Sequence, residues 1–330
     1  MPINYKILNF INSHGWIADL AKAFRQATMF EFRQPRQAAG FMGKTLMLTS
    51  TQQCQARCVF CPHRKITARR DTMTIGTARK AMEEWKKVGG TGITFSCLTG
   101  DALLDPNLGE KLALANRMGF GYTHITTNGI ALLTRENYKM LVDNGISHIE
   151  LSLEGMDPVQ YKKVYGVDRH AQVLEGIVAL LNEIERQNSP TCVTLYFLNS
   201  TRPSKVINTR YYQTVIRPRL GPSLKVYFTC WFDSWCETVK QSELVGTMKL
   251  QRRFKTHTTP CAHLSDYSVT VDGRIRLCGC RMKWNDHDGL VVGNIQEGFG
   301  PAMEAAKTVW GMCPSVCHSC WQYMPSRLQE

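Results

Sequence analysis

No run of apolar residues in this 330-residue sequence reaches the roughly 18 that a membrane-spanning helix needs. The N-terminal stretch is broken by Asn4, Lys6, Asn9 and Asn12 and has no uninterrupted apolar segment of the kind a secretory signal requires. A cytoplasmic protein without a membrane partner is expected. Acidic residues are scarce: 27 Asp and Glu stand against 40 Lys and Arg, a formal net charge of +13. That surplus points to an anionic partner. Low-complexity tracts are missing, and so is any internal repeat beyond an alternation of strand-like and helix-like segments. An even cysteine count is missing too. Thirteen cysteines in a cytosolic chain do not form a disulfide framework, and thiolates held on metal would lower the real charge. What is present is a globular composition, 43% hydrophobic and 20% charged, on a chain long enough for a large core or two modest domains.

Residues 1–44 precede the first strong strand. Within them Ile17, Leu20, Ala21 and Phe24 share a helical face, so a helical extension packed over the core is expected. From residue 45 the pattern alternates. Strands are expected at Thr45–Ser50, Gly92–Cys97, Tyr122–Thr127, Ile146–Ser152, Thr191–Leu198 and Leu224–Thr229. Helical patterns fall between them at 74–88, 108–118, 134–144, 171–187 and 204–217. Gly89-Gly90, Gly119, Gly145 and Asn188-Ser189-Pro190 act as stops. Repeated βα units imply parallel strands joined by right-handed crossovers. Six strands are too few for the usual closed eight-stranded barrel, which leaves a three-quarter barrel or an open sheet. Near residue 230 the alternation stops and cysteines become dense. Short strands Ser268–Val271 and Arg274–Leu277 flank Asp272-Gly273, a strong hairpin signal. Residues 231–330 are therefore expected to form a small, metal-supported domain.

Cys54, Cys58 and Cys61 form C-x3-C-x2-C directly after the first strand. At this cysteine frequency chance supplies about 0.02 such patterns in the whole chain. Three thiolates on a short loop can hold three irons of a 4Fe–4S cube and leave the fourth open to an outside ligand. Zinc is the alternative, with His63 as the nearby fourth ligand.

Phe60 completes the form C-x3-C-x-aromatic-C, and here the sequence resembles the radical S-adenosylmethionine (SAM) superfamily. Thr99-Gly100-Asp101 follows the second strand, where that family usually has Gly-Gly-Glu to bind the SAM amino group. Thr126-Thr127-Asn128-Gly129 ends the third strand, as the family's Thr-Asn-Gly does. Ser152-Leu153-Glu154-Gly155 ends the fourth, where relatives have Ser-Leu-Asp-Gly near the SAM ribose and carboxylate. Each motif alone would pass for a glycine-containing βα turn. Their order, each at a strand's C-terminal end, matches the edge where parallel α/β folds gather ligands. The resemblance implies an α/β fold, a partial (β/α)6 TIM-like barrel over 45–230. It implies a 4Fe–4S cluster on Cys54, Cys58 and Cys61 with SAM on the open iron. Cofactor contacts are expected from Phe60, Thr99, Gly100, Asp101, Asn128, Ser152, Glu154 and Arg169. It also implies an electron donor such as flavodoxin or ferredoxin. In that family's chemistry one electron cleaves SAM reductively to a 5′-deoxyadenosyl radical, which takes a hydrogen atom from an unactivated C–H bond.

Cys261, Cys278, Cys280, Cys313, Cys317 and Cys320 crowd the last 70 residues. Cys261-x11-Gly273-x4-Cys278, then Gly293-Asn294-Ile295, Trp310 and Cys317-x2-Cys320 resemble SPASM/twitch C-terminal extensions. A full SPASM module uses about seven cysteines. The six here favour one auxiliary 4Fe–4S cluster on Cys261, Cys278, Cys317 and Cys320. Cys280 and Cys313 are then spare, alternate ligands or part of a second, incomplete site. A zinc ribbon that staples the C-terminus is the alternative. Of the other cysteines, Cys97, Cys192 and Cys236 fall outside both groups. Cys230 follows the sixth strand, at the barrel mouth, as a candidate hydrogen-atom donor. Arg252, Arg253 and Lys255 read as solvated surface or as a contact to an anionic substrate or RNA.

The substrate reading favoured here is a hydroxylated small molecule of aminosugar or cyclitol type, oxidised or epimerised. An auxiliary cluster suits oxidation, because it can accept the second electron. A peptide or protein substrate is the first alternative. Only 44 residues precede the core, short for the N-terminal peptide-recognition domain many SPASM maturases carry. RNA rests on charge alone, without an aromatic-rich basic motif. A non-enzymatic zinc module is the last alternative.

Overall fold

A computed structural model describes residues 45–65, 71–96, 99–251, 261–279, 289–310 and 314–320. The N-terminal helix expected around Ile17–Phe24, Cys97, the Arg252/Arg253/Lys255 run, Cys280 and Cys313 lie outside the described residues.

Strands β1 (Thr45–Leu48), β2 (Gly92–Thr94), β3 (Tyr122–Thr127), β4 (His148–Leu153), β5 (Cys192–Leu198) and β6 (Leu224–Thr229) pair in that order, all parallel. The helices between them are α1 (Ile75–Lys87), α2 (Leu108–Arg117), α3 (Asn137–Asp143), α4 (Pro158–Tyr165), α5 (His170–Gln187) and the short α6 (Pro203–Ile207). This is the α/β architecture of a partial barrel. Along β3 and β4 burial alternates with a period of two. Ile125, Ile149, Leu151, Leu153, Val193, Leu195 and Phe197 form the apolar face. Leu151 meets Val173 of α5 beside Gly129, so this face lies under the helices. The opposite face is polar, and its side chains bond to each other. Thr94 Oγ1 lies 2.7 Å from His124 Nδ1, Ser96 Oγ donates to Thr126 Oγ1 at 3.1 Å, and His148 Nε2 lies 2.9 Å from Thr194 Oγ1.

Local chemistry explains where helices start and stop. Thr74 caps α1, its hydroxyl accepting from the Thr77 N–H at 3.0 Å. α4 opens on the Asp157 carboxylate, which accepts from the Val159 and Gln160 N–H groups, with Pro158 in the first turn. It closes at Gly166, left-handed at φ 69°. The helix expected over 204–217 divides into α6 and a π-type turn at Tyr212–Ile216. Thr209 sits at the break. Its hydroxyl donates to the Val206 carbonyl and accepts from the Tyr212 N–H, replacing ladder bonds with its own. The segment expected as one helix at 134–144 begins as a 3-10 turn and becomes α3 only after Arg135 and Glu136, both left-handed.

The C-terminal region adds to the same sheet. A two-residue pairing of β7 (Trp231–Phe232) with β8 (Lys249–Leu250) stands apart. Strands β9 (Tyr267–Val269), β10 (Arg274–Leu277) and β11 (Val291–Asn294) continue the core sheet past β1, giving the order β11-β10-β9-β1-β2-β3-β4-β5-β6. β9 runs parallel to β1, Met47 opposite Ser268, while β9–β10 is the expected antiparallel hairpin. Helices α7 (Phe299–Trp310) and α8 (Ser315–His318) follow. Trp85 of α1, Tyr267 of β9 and Phe299 of α7 form one aromatic cluster, with Trp85 and Phe299 centroids 5.0 Å apart. Both are fully buried. Burying a phenylalanine is worth on the order of 2–3 kcal/mol, so the C-terminal elements share the core of the parallel sheet.

Candidate functional site

The loop Cys54–Cys61 leaves the C-terminal end of β1, and four separate segments fix it. Arg57 N–H donates to the Tyr165 carbonyl at 2.8 Å and Val59 N–H to the Val164 carbonyl at 2.9 Å, so the last turn of α4 carries the loop. Gly166 is needed there: a Cβ would lie 2.9 Å from Arg57 Cβ. Phe60 stacks on Phe232 of β7 at 5.0 Å and meets Tyr165 edge-on at 5.9 Å. His63, buried, lies 3.0 Å through Nε2 from the Gln52 carbonyl. At the loop's base the Ser50 hydroxyl donates to Asp105, which pairs with the fully buried Lys111. Lys111 also donates to the Met73 carbonyl. The neutralised pair locks the β1 end to α2.

The strand-end motifs meet around this loop. Gly100 has φ 125°, and a Cβ there would stand 2.6 Å from the Thr51 carbonyl oxygen, so only glycine lets the two backbones approach. Asp101 turns its carboxylate inward. It accepts from the Thr127 hydroxyl at 2.9 Å, the Asn128 N–H at 2.8 Å and the Leu103 N–H at 3.0 Å. Burial raises its pKa, and these donors pull it back. Its carboxylate thus braces the β2 end against the β3 end. Thr99 is buried beside it. Asn128 extends the network outward: its Nδ2 lies 3.6 Å from Cys54 Sγ and its Oδ1 accepts from the Ile130 N–H. Glu154, wholly buried, accepts from the Ser200 N–H and hydroxyl, tying β4 to β5. Burial pushes its pKa up to about 7 against the two Ser200 donors. Ser152 lies on the polar face opposite Tyr196. Arg169 is exposed at the start of α5, where its carbonyl accepts from the Val173 N–H at 3.0 Å.

Cys54, Cys58 and Cys61 are partly exposed. Burial raises the Cys58 pKa most, and the neighbouring Cys61 and Cys54 raise it further, so the thiols lie within each other's field. Burial lifts Cys61 to about 11. Among the described residues no three His, Cys, Asp or Glu side chains are gathered tightly enough to hold a single metal ion. Three thiols on one loop are a donor set that suits a 4Fe–4S group with one iron left open, whereas zinc would need a fourth protein ligand. Two further atoms fit the cluster. The Tyr161 and Tyr165 hydroxyls are buried and have no hydrogen-bond partner among the described residues. Burial chiefly raises both pKa values, and the nearby Cys58 and Cys54 raise them further, so both hydroxyls lie within the field of the cysteine loop.

The C-terminal cysteines differ. Cys261, Cys278, Cys317 and Cys320 are all buried. The β9–β10 hairpin returns Cys278, whose N–H donates to the Asp266 carbonyl at 2.8 Å, to the turn that follows Cys261. Trp310 Nε1 donates to the Leu264 carbonyl at 2.9 Å, tying α7 to that turn. Cys317 and Cys320 lie on and just after α8. Cys236, left outside both groups by spacing, has its Sγ 3.7 Å from the Val316 carbonyl, next to Cys317. It lies in a left-handed run, Trp235-Cys236-Glu237. No sequence spacing marks it. Cys230 lies at the β6 end, half-buried, its pKa raised by burial and lowered by the Lys249 ammonium. Cys192 donates to the Pro222 carbonyl at the other end of β5.

A parallel βα sheet with a three-cysteine loop on its carboxyl edge, ringed by strand-end motifs, defines a partial α/β barrel of cluster-binding type. Residues 48–202 match the Radical SAM superfamily and form a domain of that family. A PqqA peptide cyclase of Streptomyces rochei is 26% identical over 136 residues, 41% of this chain and 36% of that protein. A GTP 3′,8-cyclase of Tolumonas auensis is 25% identical over 219 residues, 64% of this chain and 56% of that protein. The chain thus spans between 36% and 56% of these two relatives. In fold it is similar to BtrN in complex with AdoMet and 2-DOIA, with a TM-score of 0.54 and 14% identity over 87% of this chain and 96% of that one. It is also similar to anSMEcpe with bound AdoMet, with a TM-score of 0.51 and 14% identity over 78% and 80%. No helix among the described residues is long and apolar enough to cross a membrane.

Proposed function

We propose that this chain is a radical SAM enzyme that oxidises or epimerises a hydroxylated small molecule of aminosugar or cyclitol type. The observation that carries the reading is the Cys54–Cys61 loop at the carboxyl edge, facing a barrel lined by hydroxyls and imidazoles. Cys54, Cys58 and Cys61 would hold the 4Fe–4S cluster, with SAM at its open iron. Bound there, cluster and SAM supply the one-electron chemistry that opens an unactivated C–H bond. The chain's own residues do the rest. Phe60, packed between Phe232 and Tyr165, fixes the loop that carries the thiols. Asn128 directs an N–H donor toward Cys54 Sγ, and the buried Tyr161 and Tyr165 hydroxyls are the proposed further donors to the sulfurs. Thr99, Gly100 and Asp101 shape the backbone where the SAM amino group would lie, while Ser152, Glu154 and Arg169 are the proposed contacts to its ribose and carboxylate. Thr126, Glu150, Tyr196 and Tyr227, on the polar face, can hydrogen-bond a polyol.

Cys261, Cys278, Cys317 and Cys320 are the proposed ligands of an auxiliary 4Fe–4S cluster in a SPASM/twitch-like region over 231–330, with Cys280 and Cys313 as further candidates. Their burial suits an electron acceptor closed to solvent. Cys230 is the candidate hydrogen-atom donor for an epimerising outcome. A small flavin or iron–sulfur protein such as flavodoxin or ferredoxin would supply electrons. A peptide substrate is the second reading, favoured by the match to PqqA peptide cyclases.

The test is anaerobic incubation of the reconstituted protein with SAM, a reductant and candidate substrates, followed by mass spectrometry. Formation of 5′-deoxyadenosine with a substrate loss of about two mass units means oxidation, and no net change means epimerisation. Stoichiometric zinc with no iron and no SAM cleavage would defeat the enzyme reading.

A further inference from the structure

Beyond the carboxyl ends of β5 and β6, on the sheet edge that also carries the cysteine loop, lies a cavity of about 390 Å³. That is within the range of small-ligand sites. Its base is Asn199, which is 1% exposed, and neither its Nδ2 nor its Oδ1 has a hydrogen-bond partner among the described residues. Such an amide is a buried donor and a buried acceptor, both unmet. Trp231, in the wall, adds a second unmet donor through its buried Nε1. The mouth carries Arg202 and Lys249, both exposed and neither ion-paired with a described residue. The Thr201 and Thr247 hydroxyls flank them, and no carboxylate lines the cavity. Cys230 borders it as well.

This arrangement has a chemical meaning. Two cations with no carboxylate partner among the described residues, Lys249 resting 5.9 Å from the Trp231 ring centroid, match one dianion better than a single carboxylate. A phosphate monoester carries about −1.5 to −2 at neutral pH. At the other end, an amide offering N–H and C=O side by side matches a group that both donates and accepts, such as a hydroxyl or amine on a sugar carbon. We propose that this cavity binds a phosphorylated polyol or amino sugar, its phosphate at Arg202 and Lys249 and its hydroxyl or amino end on Asn199. This names the substrate class of the small-molecule reading and rests on it only for the ligand's role as substrate. Binding itself needs no SAM cleavage. Ligand bound there would lie beside the Cys230 thiol.

The experiment is calorimetry on the anaerobically reconstituted full-length protein at low salt, with glucosamine 6-phosphate, glucosamine and inorganic phosphate as separate probes. Glucosamine 6-phosphate is expected to bind at least tenfold more tightly than either half, and more weakly as salt rises. Asn199→Leu should weaken that binding at least tenfold and leave the melting temperature of the free protein unchanged or higher, because it removes a buried polar group that had no partner. The Arg202→Ala/Lys249→Ala double variant should lose the preference for glucosamine 6-phosphate over glucosamine. Equal affinity for all three probes, or undiminished binding by a folded Asn199→Leu protein, would overturn the proposal. Either result leaves SAM cleavage, assayed separately, free to stand or fall by itself.

Discussion

The two cysteine groups are built on opposite plans. Cys54, Cys58 and Cys61 sit on one short loop, partly exposed, and they are fixed by strand ends, by α4, by Phe232 of β7 and, at the loop's base, by Lys111 of α2. Cys261, Cys278, Cys317 and Cys320 are far apart in the chain and buried, and a hairpin, a turn and a short helix must all be in place before they can act together. A local, open group can take an outside ligand at little folding cost. A scattered, closed one must also hold its region together, because ligands that join long loops couple binding to folding. The first plan is suited to chemistry at an open position and the second to stability or electron storage.

The sharpest way to break this contrast is to remove the first group. Cys54→Ala, Cys58→Ala and Cys61→Ala together should abolish 5′-deoxyadenosine formation while the iron of the proposed C-terminal cluster stays, as read by iron analysis and chromatography. Loss of both irons together would mean that the two groups are not independent. The second group is tested by Cys317→Ala. Abortive SAM cleavage should continue while substrate product disappears, and the melting temperature should fall. A soluble variant that makes product at the wild-type rate would leave that group structural only, and the preference for oxidation would go with it.

Smaller effects sharpen the picture of how the open group is held. Gly100→Ala forces a side chain to within 2.6 Å of the Thr51 carbonyl at positive φ, at a cost of about 3–5 kcal/mol from strain and overpacking. Denaturant unfolding should report that loss, whereas Gly119→Ala, with nothing within 4 Å but also at positive φ, should lose only about 1 kcal/mol. The last effect is electrostatic and spread over a range of pH. Glu154 has a folded pKa of about 7, above its ordinary 4.5. Its contribution is therefore fully present below pH 4.5, shrinks as pH rises toward 7, and is lost above it. The difference is at most about 3 kcal/mol. Glu154→Gln should flatten that part of the stability–pH curve, and a curve that keeps its slope would place the titration elsewhere.

Much of the sheet is legible in the sequence because its signals are local. Tyr122–Thr127 and Leu224–Thr229 are strands over the expected residues, since β-branched and aromatic residues alternate between clear stops. α4 is equally marked, by Asp157-Pro158 at one end and Gly166 at the other, yet its few apolar positions give no long periodic stripe, and it is not among the helices expected from the pattern. Its importance is not local at all: its last carbonyls hold the cysteine loop. Asp101 illustrates a different limit. A carboxylate in that motif reads as a ligand-binding group, but whether it points outward or in depends on Thr127 and Asn128 arriving from the next strand. Cys236 beside Val316 and the unpartnered amide of Asn199 are likewise products of tertiary packing, which no spacing along the chain encodes.

The pairing of β1 with β9 has a consequence for how the molecule is made. Met47 is an early residue, and its partner Ser268 is a late one. On a growing chain the β1 edge stays open, its N–H and C=O groups unpaired, until the hairpin has been synthesised. Unpaired edges recruit strands from other chains, and closing so long a loop is slow. Yield from a truncated gene is therefore an assembly question. A product that stops before residue 267 would have the complete parallel set and an exposed flank, soluble only while something else covers it.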